Sequence, residues 1–190
     1  KKYGHHWWES VPFWASVIFL FHPIHVEAVA NIKGLDELLT MGFSLLTWIW
    51  AIKVYNQPKV ILNSVLVGVF FFLALMSKEN ALTFIAVIPL SFYCFGKLNR
   101  NQLLAFLAPM LLVTVLYLVI RTSVLGYLLS PGKEVTDILN NPFYGLSGTE
   151  TFSTVLFTWL KYLGLLIFPH PLVHDYYPYA IPIMDLGDWQ

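Results

Sequence analysis

Charged side chains are scarce in this 190-residue sequence, at 12% of the chain, against about 25% in an ordinary soluble domain. That scarcity excludes a solvated, disordered chain, which needs charge and little apolar surface. It also excludes an ordinary soluble fold, because too few polar side chains remain to cover one. Neither sign is in excess: 11 Lys and Arg stand against 11 Asp and Glu, for a formal net charge of zero. A nucleic-acid binder needs a basic footprint, so that class is excluded too. Cys94 is the single cysteine, which permits neither an internal disulfide nor a CxxC-type zinc site. The phosphate-loop pattern GxxxxGK[ST] is missing, as are GxGxxG, HExxH and GxSxG. Nucleotide chemistry and zinc proteolysis therefore have no support. No repeat is visible, nor a pair of broken helices recurring in two halves as in many transporters.

What the chain does have is apolar surface: 57% hydrophobic and 17% aromatic residues, with a mean hydropathy of +0.66. A multi-pass, all-α membrane domain is the expectation. A bilayer core about 30 Å thick asks for roughly 20 apolar residues per helix. Apolar runs cover Trp7–Phe21, Asp36–Tyr55, Val60–Met76, Ala81–Phe95 and Leu103–Ile120, giving about five expected spans. The third and fourth lie at or below the spanning minimum. A turn-rich stretch over 121–150 precedes a sixth run, Thr151–Phe168. Lys161 interrupts that run, and a charge at mid-membrane costs about 2.5–3.5 kcal/mol on insertion scales. An interfacial or re-entrant helix is expected there. The chain opens at Lys1-Lys2-Tyr3 with no initiator Met or signal pattern, so it is expected to be part of a longer polypeptide.

If the breaks between runs alternate sides, one side collects Lys1, Lys2, Lys53, Lys59, Lys97 and Arg100 with Glu9 as its acid. The other collects Lys33, Lys78, Arg121 and Lys133 with seven acids, among them Glu27, Asp36, Glu37 and Glu79. The basic side is expected to be cytoplasmic and the acid-rich side outer or lumenal.

Three polar clusters fall on the outer side. In Phe21-His22-Pro23-Ile24-His25-Val26-Glu27, two histidines and a glutamate interrupt apolar sequence, which makes them functional suspects. The simpler reading is that Pro23 starts a short helix capped by His22. Spacing disfavours a divalent metal, because His22 and His25 share a face that Glu27 leaves. Ser77-Lys78-Glu79-Asn80 reads either as a cap for the next helix or as an anion site built from Lys78 and a helix start. Asp36 and Glu37 read as first-turn dipole residues. Arg121 closes the fifth run, either as a phosphate partner or as a simple anchor. Phe168–Tyr179 holds His170, His174, Asp175 and several tyrosines between prolines. It suits a sugar or polyprenyl site, or an ordinary aromatic belt.

The string His22-Pro23-Ile24-His25-Val26-Glu27-Ala28-Val29 resembles the HPIH-x-EAV motif of transmembrane O-mannosyltransferases acting on cadherins, and of their bacterial relatives. In the same order, Gly34-Leu35-Asp36-Glu37-Leu38-Leu39 is similar to a further family segment, with Leu35 where an arginine is usual. Ser77-Lys78-Glu79 resembles its SKE motif, and Tyr162–Pro169 with Asp175-Tyr176 resembles its last loop. The resemblance covers essentially the whole chain. It implies part of a GT-C glycosyltransferase domain over 1–190, with the first outer loop lying upstream and tetratricopeptide repeats downstream. The implied reaction moves a sugar, commonly mannose, from a polyprenyl phosphate to a hydroxyl of a protein or glycan at the outer or lumenal face. The implied general base belongs to the upstream loop, so no catalytic residue is assigned in this chain. His22, His25, Glu27, Lys78, Glu79, Arg121 and Asp175 would line the donor and acceptor cavity, and no metal or other cofactor is implied. Membrane lipids are the expected surroundings, of a bacterial inner membrane or the endoplasmic reticulum. Two other classes remain: a transporter or flippase of polyprenyl-linked sugars, and a non-catalytic anchor for a larger protein.

Overall fold

The computed structural model of the chain describes residues 6–56, 60–96, 99–127, 136–173, 176 and 180–188. Its regular elements are helices α1 (Val11–Phe21), α2 (Val26–Ala30), α3 (Leu35–Asn56), α4 (Val60–Ser77), α5 (Phe84–Phe95), α6 (Arg100–Leu125) and α7 (Gly148–Ile167), with 3-10 turns at Trp7–Glu9, Pro23–His25, Ile32–Gly34 and Glu79–Thr83. No strand occurs among the described residues, so the expected all-α class is borne out. Contacts divide the chain into two units, residues 31–131 and residues 1–30 with 132–190.

In the unit of residues 31–131, α4 lies between α3 and α6. The face that α3 buries carries Thr40, Ser44, Thr47, Ala51 and Val54, spaced four, three, four and three apart. Small and hydroxyl side chains at that spacing let two membrane helices approach closely. Thr47 satisfies its hydroxyl by donating to the Phe43 carbonyl at 2.8 Å. On its other flank α4 presents Gly68 to Pro109 of α6: a Cβ built at Gly68 would lie 3.3 Å from the Pro109 Cβ. The rest of the core is apolar, with Val67, Phe71, Ala74, Ile88, Phe106 and Met110 among its buried members.

Capping decides where the elements start and stop. Asn99 and Gln102 form a reciprocal capping box at the start of α6, satisfying two backbone N–H groups that the helix leaves open. The Gln102 amide also donates to the Tyr55 carbonyl at 3.0 Å, which fixes the start of α6 to the end of α3. At its other end α6 stops on Gly126 at φ 79°, a left-handed position that suits glycine.

In the other unit, Ser10 accepts from the Phe13 N–H and begins α1, which ends at His22-Pro23. The segments Val11–Phe21 and Pro23–Ala30 meet at 48°. Ser147 and Glu150 form a second capping box at the start of α7. Hydrogen bonds from the Ser147 side chain and backbone hold the Glu150 carboxyl below its ordinary range.

By length and composition, three segments are long and apolar enough to cross a membrane: Ile32–Asn56, Val60–Ser77 and Arg100–Leu125. The bent pair over 11–30 makes a fourth if it is counted as one span. Two of the five expected runs differ for local reasons. The first is broken because Pro23 lacks an N–H and starts a new turn. The fourth yields a 12-residue helix behind the five-residue 3-10 turn Glu79–Thr83. α7 does not meet the same test, in keeping with an expected helix that is not a simple span.

Candidate functional site

The loops at one end of the 31–131 unit bring together charges that lie far apart in the sequence. Lys78, just past the end of α4, donates to Glu37 Oε1 at 2.5 Å and lies 3.2 Å from Asp36 Oδ2. Both acids belong to the first turn of α3, and Asp36 Oδ1 also accepts the Glu37 N–H at 2.8 Å. Glu79 pairs with the Arg121 guanidinium near the end of α6, and the same guanidinium donates to Tyr117 Oη at 3.2 Å. The Arg121 Nε is buried and has no partner among the described residues. Three carboxylates thus face two cations in one cluster. The bond from Glu37, then that from Asp36, holds the Lys78 ammonium above its ordinary range, so it stays charged at neutral pH.

The opposite end of the same unit is basic. It carries Lys53, whose Nζ stands 3.6 Å from the centre of the Trp50 ring, and Arg100 in the first turn of α6. The separation of Lys53 and Arg100 from Lys78 and Arg121, expected from the order of the loops, holds along the helix axes.

Two expectations for the Ser77 segment are corrected. Ser77 caps no subsequent helix; its hydroxyl donates back to the Leu73 carbonyl at 2.9 Å, the usual alternative for a Ser inside a final helical turn. Lys78 leads into the short 3-10 turn rather than the start of an α-helix, so helix-dipole assistance to an anion is lost there.

In the unit of residues 1–30 and 132–190, His22 is committed to structure. Its Nδ1 accepts the Ile24 N–H at 3.3 Å, so Nε2 carries the ring hydrogen and donates to the Leu166 carbonyl at 3.2 Å. The expected capping role is borne out, and the second bond ties the end of α1 to the end of α7. The His25 ring lies 6.1 Å from that of His22 and 4.5 Å from that of Phe19. Glu27 is exposed on α2. Among the described residues no three His, Cys, Asp or Glu side chains are grouped as a metal site would need. Asp175 and His174 lie outside the described residues.

The sequence points to Lys78, Glu79 and Arg121 but not to the pairing of Lys78 with Asp36 and Glu37 or of Arg121 with Tyr117. Asp36 and Glu37 stand where first-turn dipole residues are expected, and they also clamp Lys78. A signal was present: two helices of similar length joined by a short link fold back antiparallel, which brings the first turn of α3 to the last turn of α4. Tyr117 stands one helical turn before Arg121, where side chains meet. Lys161 was read as a cost to insertion. Its Nζ sits 4.9 Å from the centre of the Tyr176 ring, on the face of α7 turned to protein.

Comparison with known proteins gives a distant relationship to a glycosyltransferase. The chain is 30% identical over 170 residues to a protein O-mannosyl-transferase of Caenorhabditis elegans, an alignment covering 88% of this chain. The chain spans 22% of that relative's length. No family model matches the chain, and no solved structure matches it.

Proposed function

We propose that this chain is part of a membrane glycosyltransferase that moves a sugar, mannose in the leading reading, from a polyprenyl phosphate to a hydroxyl acceptor such as a protein Ser or Thr. The observation that carries this reading is the charged cluster at one end of an otherwise apolar helix group: Asp36, Glu37, Lys78, Glu79 and Arg121. Ionisable groups are expensive beside hydrocarbon and are kept where they bind or react. The protein O-mannosyl-transferase of Caenorhabditis elegans supplies the reaction class.

In this reading the acids hold the two cations in place until a phosphate arrives. The phosphate takes over hydrogen bonds from Lys78 and from Arg121, whose Nε is an open donor. Charge-assisted, bidentate contacts of this kind are the usual way a guanidinium grips a phosphate. A carboxylate displaced from Lys78 becomes free to accept a bond from an incoming hydroxyl. His25, Glu27 and Asp175 stay candidates for donor or acceptor contacts in this reading, while His22 holds its loop. No residue of the chain is assigned as the general base. The acid-rich end would face the outer or lumenal side, opposite the basic end with Lys53 and Arg100.

The test is a transfer assay on the full-length protein, using radiolabelled dolichyl- or undecaprenyl-phosphate mannose and a Ser/Thr-rich acceptor. Wild type should move label to the acceptor, and Arg121→Gln should cut the rate by about 100-fold, the scale of a lost charge-assisted contact to the leaving phosphate. Label that stays on the lipid with wild type sinks the transferase reading for that donor. Uptake of the intact labelled lipid across vesicles would then favour the flippase.

A further inference from the structure

The buried face of α6 runs into the charged cluster. Phe106, Met110, Val113, Tyr117 and Arg121 follow one another at spacings of four, three, four and four residues, so they share one side of the helix. Phe106 and Met110 are buried, and Val113 and Tyr117 pack against the same core. The tyrosine ring is therefore held by apolar packing, and its hydroxyl is carried to the acid-rich end. There, one turn before Arg121, it accepts a hydrogen bond from Arg121 Nη1 at 3.2 Å.

The Arg121 guanidinium is used on one side only. It has five N–H bonds, two of them on Nη1. Glu79 Oε2 and Tyr117 Oη both draw on Nη1. Nε is buried without a partner, and Nη2 makes no hydrogen bond either, among the described residues. What is left over is the Nε–Nη2 edge, whose two parallel N–H bonds fit two oxygens of one anion. The two holders of Nη1 respond differently to such an anion. Glu79 carries a like charge and is repelled by it. It is also the more open partner, with 54% of its side chain exposed against 22% for Arg121, so it can swing out to water. The Tyr117 hydroxyl brings no carboxylate into competition, and its ring is fixed by the core. Once Glu79 has yielded, Tyr117 is the remaining hold on Nη1. Without that hold the guanidinium turns freely, and fixing it again costs side-chain entropy.

We infer that Tyr117 is a positioning residue for Arg121: it holds Nη1 while the arriving anion displaces Glu79, and so keeps the Nε–Nη2 edge aimed at one place. What that edge grips, the leaving phosphate, rests on the proposed transferase function; the hold of Tyr117 on Arg121 does not. Tyr117 acts in this role only through Arg121.

Tyr117→Phe in the full-length protein tests this, because it removes the hydroxyl and keeps the ring. Its melting temperature in detergent should match wild type, while kcat for mannose transfer falls about tenfold, the scale of one hydrogen bond to a charged group. KM for the lipid donor should change by less than about threefold, since the contact matters most as the phosphate departs. A folded Tyr117→Phe whose kcat stays within about twofold of wild type overturns the inference. A second readout needs no transfer: modification of Arg121 by phenylglyoxal, followed by mass spectrometry with the exposed Arg100 as internal reference. Glu79→Gln alone should raise the Arg121 rate by no more than about twofold, and adding Tyr117→Phe should raise it about tenfold. Equal rates in the single and double variants overturn the hold. So does a Glu79→Gln protein whose Arg121 reacts as fast as Arg100, even if the double variant does not fold. Wild type that transfers no mannose, with Arg121 freed only in the double variant, would defeat the transferase reading and leave the hold of Tyr117 on Arg121 standing.

Discussion

The two units handle half-buried cations in opposite ways. At the charged end of residues 31–131, each cation has a carboxylate partner supplied by a different element: Glu37 and Asp36 for Lys78, Glu79 for Arg121. On α7, Lys161 meets an aromatic ring whose hydroxyl has no partner among the described residues. A paired cation is held in a fixed place and gives up part of its field to its partner. An unpaired one keeps its full attraction for an incoming anion. The difference is one of compensation: an anion must win Lys78 or Arg121 from a carboxylate, whereas Lys161 has no carboxylate to give up among the described residues.

The largest expected effect comes from breaking the scaffold. Gly68→Leu would drive a side chain into Pro109 and part α4 from α6, the two helices whose ends carry Lys78 and Arg121. Overpacking of this kind costs about 1–3 kcal/mol, which should appear as a lower melting temperature in detergent together with a fall in mannose transfer. A variant that melts with wild type would mean that α4 and α6 do not meet closely at Gly68.

Lys161 can also be made to resemble its paired counterparts. Thr158→Asp places a carboxylate one turn before Lys161 on the same face. It should slow acylation of Lys161 by a membrane-permeant reagent severalfold, because a neighbouring carboxylate favours the charged ammonium. Unchanged reactivity would argue that pairing is not what distinguishes the two regions.

The smallest effect belongs to the clamp itself. A double-mutant cycle with Lys78→Met and Glu37→Gln should give a coupling of about 0.5–1 kcal/mol, the ordinary worth of a partly exposed pair. Its pH dependence has a definite sign. Because the folded protein holds Lys78 above its ordinary range, the contribution is complete below that range and disappears as pH rises through the raised value. A coupling that instead faded between neutral pH and the ordinary lysine range would contradict the clamp.

Much of the architecture was legible in advance. Long apolar runs predicted α3, α4 and α6 to within a few residues, because a helix in hydrocarbon must be long, apolar and internally hydrogen-bonded. His22 was legible as a cap because Pro23 comes directly after it. Ser77 was misread: a hydroxyl at a helix end can bond forward or backward, and only the backbone path chooses. The clamp on Lys78 was hidden because its partners stand 41 and 42 positions earlier in the chain, which no local pattern reports.

By itself the sequence determined the class of environment, since 11 acids and 11 bases among 190 residues leave most of the surface apolar. It also determined which chemistry-bearing residues exist and roughly which end of each helix they occupy. Tertiary structure alone decided which of them are spent on one another. Among the described residues Lys78 and Arg121 are compensated and Lys161 is not, because ion pairing depends on distances of a few ångströms. Those distances are set by where Gly68 and the Thr40–Ser44–Thr47 face allow close packing.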